Sequence, residues 1–209
     1  MRDVTRKTHS IVDHGGEMVG RERLIDAIYR VATGAKRTQR LLTPVGILFF
    51  GTFTTSFVLA SLLVDHLLNL PAFLPDRFEI PLSIPFMLLG LVVSAWSLLH
   101  FKKAKGTPVP FNPPQHVVDT GPYRYSRNPM ISGVILFLCG IGLLLNSISL
   151  VFFFLPLLMF LIVWELKRIE EPELIKRLGI EYLEYKSKTP MFFPDLRKVW
   201  STRKGPGSV

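Results

Sequence analysis

The sequence predicts an all-α membrane protein, a polytopic bundle of about four transmembrane helices with a C-terminal helical hairpin and both termini cytoplasmic. Three observations carry this. Hydrophobic residues make up 48% of the 209, with a mean hydropathy of +0.33. They are crowded into four runs, each near the ~20 residues that a bilayer-crossing helix needs. The charge, +9 overall, is confined between those runs and alternates from one connection to the next. The length suits one domain. The apolar content excludes a disordered chain, and the single Cys139 excludes a disulfide scaffold.

Residues 1–40 read as a polar N-terminal segment. Asp3, Asp13 and Glu17 precede any apolar stretch, which is not the pattern of a secretory signal. Arg21 to Arg37 reads as an amphipathic interfacial helix, with Leu24, Ile25, Ile28, Val31 and Ala32 on one side. That side suits either the membrane surface or another subunit. Residues 41–209 read as the membrane domain, with spans over about 41–70, 80–101, 129–145 and 148–166, then a cytoplasmic C-terminal helix and tail over 167–209. No span carries a central Lys or Arg, and the acids Asp65 and Glu165 sit near span ends.

Charge orients the bundle. Residues 1–40 hold nine Lys/Arg and five Asp/Glu, residues 102–127 hold five and one, and residues 165–209 hold ten and seven. Residues 71–80 hold only Arg77 against Asp76 and Glu79, and the Asn146-Ser147 connection is uncharged. The positive-inside rule puts both termini and the 102–127 loop in the cytoplasm. The basicity is therefore topological, suits anionic headgroups, and calls for no nucleic acid. Cys139 reads as a small buried hydrophobe. The five His, at 9, 14, 66, 100 and 116, show no metal-ligand spacing, so no metal is expected.

Polar chemistry collects in two of these cytoplasmic segments. Residues 106–130 contain six prolines and cannot form one helix. At the junction into the third span, Asn128 suits a helix N-cap and Pro129 the first helical position. The same geometry also suits an anion site, with Arg124 and Arg127 adding charge. The second segment, residues 167–186, continues the fourth span out of the membrane. Glu173 and Arg177 fit a solvated i, i+4 pair there. Glu170-Glu171 lies about one turn beyond the apolar end of that span. A tight Asn146-Ser147 turn makes the last two spans antiparallel, bringing the 121–129 loop and Glu170-Glu171 to one membrane face. An Arg/Asn/Tyr loop opposite two acids suits a zwitterionic small molecule.

Gly121-Pro-Tyr-Arg-Tyr-Ser-Arg-Asn-Pro-Met-Ile-Ser-Gly133 resembles the Gly-x-Tyr-x-x-x-Arg-His-Pro-x-Tyr-x-Gly motif of the isoprenylcysteine carboxyl methyltransferase family. Glu170-Glu171, then Leu-Gly-Ile-Glu-Tyr-Leu-Glu-Tyr-Lys186 and Pro190, resembles its Glu-Glu…Phe-Gly-x-x-Tyr-x-x-Tyr-Lys…Pro motif. The related phospholipid methyltransferases share the Pro and Glu-Glu features. The likeness covers about residues 85–195. It implies an integral membrane enzyme that uses S-adenosylmethionine without a Rossmann domain, and no Gly-x-Gly-x-x-Gly follows a strand here. By the same resemblance, Gln115, His116, Val117, Val118, Gly121 and Tyr123 would line the adenosyl pocket. Asn128, Pro129, Met130 and Ile131 stand at the cofactor-contacting His-Pro-x-Tyr positions, and Glu170 stands at the acid that holds the cofactor. Arg168 is nearest to the family arginine that orients the acceptor. The motif His is Asn128 here, which cannot titrate near neutrality, and the motif Tyr is Ile131, which has no hydroxyl.

The expected acceptor is a membrane lipid or lipophilic small molecule: an isoprenylcysteine-like carboxylate, a lipid amine or a thiol. Arg168 or Arg127 would steer its polar end. A carboxylate needs no base; for an amine or thiol, Glu171, His116 and Tyr123 are the groups on offer. The expected location is the inner membrane of a prokaryote or the endoplasmic reticulum of a eukaryote. Two rival readings are an NADPH-dependent membrane reductase with a related helical core and a non-enzymatic membrane scaffold. The first would need a basic cluster for a 2′-phosphate beyond Arg124 and Arg127. The second would tolerate changes at Glu170, Asn128 and Tyr123.

Overall fold

The computed structural model describes residues 19–104, 106–107 and 112–192. The first 18 residues of the predicted N-terminal segment and the tail from 193 lie outside the described residues. Helix α1 runs over 19–32. It stops short of the predicted Arg37 because the next helix caps it. The Gln39 side-chain amide donates to the carbonyls of Ala32 (2.7 Å) and Val31 (3.2 Å), satisfying groups a helix end leaves free. The apolar side of α1 is used by the chain itself. Ile25 and Ala32 are buried, Asp26 accepts a 2.5 Å bond from Lys176, and the Lys176 ammonium lies 4.9 Å from the Tyr29 ring centre.

Helices α2 (Lys36–Leu67) and α3 (Asp76–Lys103) are long and apolar enough to cross a membrane, as is the stretch Leu150–Leu178. The remaining predicted span is α4 (Pro129–Leu144), a shorter apolar helix. Its 16 residues rise about 24 Å, some 6 Å less than a bilayer's hydrocarbon thickness. No strand occurs among the described residues. Outward-facing Leu, Phe and Val are abundant on α2 and α3, as expected of helices solvated by lipid. Helices α3 and α4 approach closely through small residues. A Cβ on Gly133 would meet Ser94 Oγ at 2.4 Å and the Gly90 carbonyl at 2.8 Å. Such contacts suit helix association in lipid, where packing rather than water exclusion holds helices together. Leu138 of α4 packs with Leu150, Leu155, Leu158, Ile162 and Leu166 in the main buried cluster.

The last long helix comprises a π-helical turn (Leu150–Phe154), α5 (Leu155–Glu165), a second π-helical turn (Leu166–Glu170) and α6 (Glu171–Leu178). It continues past the predicted span end at 166, as the reading of residues 167–186 expects. At ~1.5 Å per residue, its 29 residues reach about 44 Å, some 14 Å more than the hydrocarbon thickness and about the length of α6. The second π turn, wider than an α turn, ends at Glu170 and re-phases the helix just before Glu171. Helix α7 (Ile180–Lys188) follows at an angle set by Gly179.

The two ends of the bundle differ. At the far end, Asn146, with φ of 49°, accepts from the amides of Phe73 and Leu74, both at 3.0 Å. It donates to the Leu74 carbonyl and to Glu79, both at 2.7 Å. Beside it, Asp65 accepts from the hydroxyls of Ser147 and Ser149 and from the Ser149 amide at 3.1 Å. The near end gathers the 112–128 loop, the start of α4, and α6–α7.

Candidate functional site

The loop that enters α4 is irregular, so its backbone groups need partners from elsewhere. Residues 190–192 supply them. Arg127 and Asn128 donate their amides to the carbonyls of Pro190 (2.9 Å) and Met191 (3.0 Å). The Ser126 hydroxyl and the Asn128 side-chain amide reach the same Met191 carbonyl, at 3.1 and 3.3 Å. Ser132 donates to the Phe192 carbonyl at 3.3 Å. Asn128 holds the N-cap position, but its side chain caps nothing in α4; the Met191 carbonyl has claimed it. The 3₁₀ turn Gly121–Arg124 is fixed from the other side, where Tyr185 donates its hydroxyl to the Tyr123 carbonyl at 2.7 Å. Gly121 has φ of +59°, and a Cβ there would meet His100 Nε2 at 2.2 Å, so only glycine fits.

Between this loop, residues 113–118 and helices α6–α7 lies a cavity of about 90 Å³. His116, Val117, Val118, Tyr123, Arg127, Asn128 and Glu170 all line it. A larger, open groove of about 690 Å³ adjoins it, and Val117 and Tyr185 belong to both walls. Gly121 lines only the groove. The other residues singled out from the sequence lie off the cavity. Gln115 and Arg168 are exposed. Pro129 is buried at the start of α4, Met130 is half-buried beside it, and Ile131 packs against the leucine cluster. Glu171 is buried behind the cavity wall.

Electrostatics separates the two adjacent acids. Glu171 is held between Arg127 Nη1 and Lys186 Nζ, the latter at 2.6 Å. Both its oxygens are engaged, so it anchors Arg127. Glu170 has no hydrogen bond or ion pair among the described residues. Arg127 also leaves an atom over. Its side chain is nine-tenths buried, Nη1 serves Glu171 and lies 3.5 Å from the Tyr182 hydroxyl, yet Nε has no partner. A buried donor without an acceptor is costly and calls for an explanation. Three phenols surround these groups. Burial, reinforced by Glu171, pushes Tyr182 up to about 12. Burial, reinforced by Tyr185, pushes Tyr123 up further, and Tyr185 rises by burial and its neighbour Tyr182. All three stay protonated at neutral pH and act as hydroxyl donors, not bases.

Sequence reading passed over part of this wall. Glu173 and Arg177 do pair, at 2.9 Å, but with side chains only 4% and 9% exposed they line the cavity rather than a solvated face. Leu174 and Leu178 complete that side. Their four-residue repeat on α6 is the signal that marks a buried face. Residues 78–180 match the family described as phospholipid methyltransferase. No curated protein and no solved structure matches the chain.

Proposed function

The chain belongs to the phospholipid methyltransferase family, and on that premise we propose that this membrane methyltransferase uses S-adenosylmethionine to methylate a lipophilic acceptor at the near end of its bundle. The observation that carries the reading is a pair of polar groups with hydrogen-bonding capacity left over in one cavity. Arg127 Nε is a buried donor without an acceptor, and Glu170 is an acid without a partner, both among the described residues. Together they complement an α-amino acid zwitterion, carboxylate to Arg127 and ammonium to Glu170, which is the methionyl end of the cofactor. Val117, Val118, Leu174 and Leu178 supply apolar surface for an adenine, and the 3₁₀-turn Tyr123 supplies an aromatic edge.

The cofactor brings an activated methyl group, so the chain's task is alignment and exclusion of water. An amine, carboxylate or thiol attacks the methyl carbon in line, the carbon–sulfur bond breaks, and its electron pair stays on sulfur. An ammonium acceptor must first lose a proton. With Glu170 holding the cofactor's ammonium and Glu171 committed to Arg127 and Lys186, His116 on the cavity wall is the group left to take it. At about 90 Å³ the cavity is smaller than the ~300 Å³ lower bound of ordinary ligand pockets, so a whole cofactor enters as side chains of the lining turn aside. The short α4 supports a lipophilic acceptor, because its missing length draws the helix ends toward the hydrocarbon boundary.

The test is calorimetric titration of detergent-purified protein with S-adenosylmethionine, with NADPH in parallel. Saturable binding of the sulfonium, lost in Glu170→Ala at unchanged helicity, is the expected result. Binding of NADPH alone would overturn the proposal in favour of a reductase. Full affinity in Glu170→Ala would remove the zwitterion argument.

A further inference from the structure

The wall over residues 113–118 has neither helix nor strand to hold it, yet four of its residues besides Pro113 face the cavity. Two side chains fasten it. Arg177 Nη1 donates to the Pro114 carbonyl at 2.8 Å, and the Val117 amide donates to Glu181 Oε1 at 2.9 Å. The two fasteners stand on either side of Gly179, where the backbone breaks between α6 and α7 at φ of +58°. Arg177 lines the cavity and so could touch a ligand itself. Glu181 does not; it belongs to the adjoining groove and reaches the cavity through Val117 and the exposed His116.

We propose that Glu181 is a positioning residue, which holds Val117 and Val118 against the cavity through the Val117 amide and thereby sets cofactor affinity without contacting the cofactor. The inference rests on the cofactor reading above. The amide bond, rather than charge, carries the effect. The other contact of Glu181 is with His116 Nδ1 at 3.7 Å, between side chains 46% and 84% exposed. An ion pair so open to solvent contributes little. The amide has no other partner among the described residues. Without Glu181 the wall loses one of its two fasteners, and ligand binding must then order it.

The experiment compares wild type, Glu181→Ala, Glu181→Gln and, as a control one turn along α7, Glu184→Ala. S-adenosylmethionine affinity is measured by calorimetry, and hydrogen exchange of the Val117 amide is measured without ligand. Glu181→Ala is expected to weaken binding about three- to tenfold, the range of one exposed hydrogen bond, and to deprotect the amide. In turnover assays, KM rises more than kcat falls. Glu181→Gln keeps an oxygen acceptor and is expected to restore both affinity and protection. A purely electrostatic role would leave it as weak as Ala, and that result overturns the proposal. Wild-type affinity in Glu181→Ala, or a loss in kcat with KM unchanged, also overturns it. If wild type and Glu184→Ala both fail to bind the cofactor, the functional reading fails and this inference with it. Val117 protection that follows Glu181 would then establish only the fastening.

Discussion

The two ends of the bundle are built from similar residues and treat them in opposite ways. At the far end, Asn146 and Asp65 spend their polar atoms on backbone amides, hydroxyls and one carboxylate. At the near end, Arg127 Nε and Glu170 are left without partners in a cavity. A satisfied polar knot fixes geometry; an unsatisfied one reserves binding energy for something else.

Substitutions can break this contrast in order of expected size. Glu170→Ala should cost on the order of a hundredfold in cofactor affinity, the scale of a charge-assisted hydrogen bond, and little stability, because nothing in the fold depends on that carboxylate. Asp65→Ala should do the reverse. It strands the Ser147 hydroxyl and the Ser149 amide, while the Ser149 hydroxyl keeps the Ser61 carbonyl, so thermal unfolding in detergent should show a loss of about 2–3 kcal/mol with cofactor affinity retained. Asn146→Gly keeps the left-handed backbone and removes only the side-chain bonds, and should cost about 1–2 kcal/mol. Asn146→Ala should cost more, since it adds backbone strain. The last effect appears only at alkaline pH. Tyr182 titrates at about 12 in the fold against an ordinary 10.0. The folded state therefore holds its proton where the unfolded chain has lost it. That contribution is intact below about pH 10 and disappears as pH rises toward about 12. Ultraviolet titration should show phenolate forming late in wild type, and Tyr182→Phe should flatten the decline in stability over that window.

The latch and the site were not equally legible in the sequence. Span lengths follow from bilayer thickness, so α2, α3 and the last long helix could be read from composition. The Asn146-Ser147 turn was visible as polar punctuation, but its bonds to Phe73, Leu74 and Asp65 join residues about 70 to 80 positions apart, which local pattern does not reveal. At the site, residues 116–118, Tyr123, Asn128 and Glu170 were grouped from short motifs, and the fold brings them to one cavity. Arg177 was read as half of a solvated pair because i, i+4 spacing says nothing about burial. The caps of α1 and α4 escaped for a related reason. Gln39 reaches back to α1, and the Met191 carbonyl takes the Asn128 amide. A backbone carbonyl leaves no mark on residue identity.

The binding of residues 190–192 to the mouth of α4 also imposes an order on biosynthesis. Membrane insertion can proceed span by span as each helix leaves the ribosome. The loop at Arg127 and Asn128 meanwhile lacks the acceptors for its amides until Pro190 and Met191 have been made. A chain halted after its last span therefore inserts its helices while the amides of Arg127 and Asn128 still lack these acceptors. The loop is pinned only when residues 190–192 fold back onto a segment translated some sixty residues earlier.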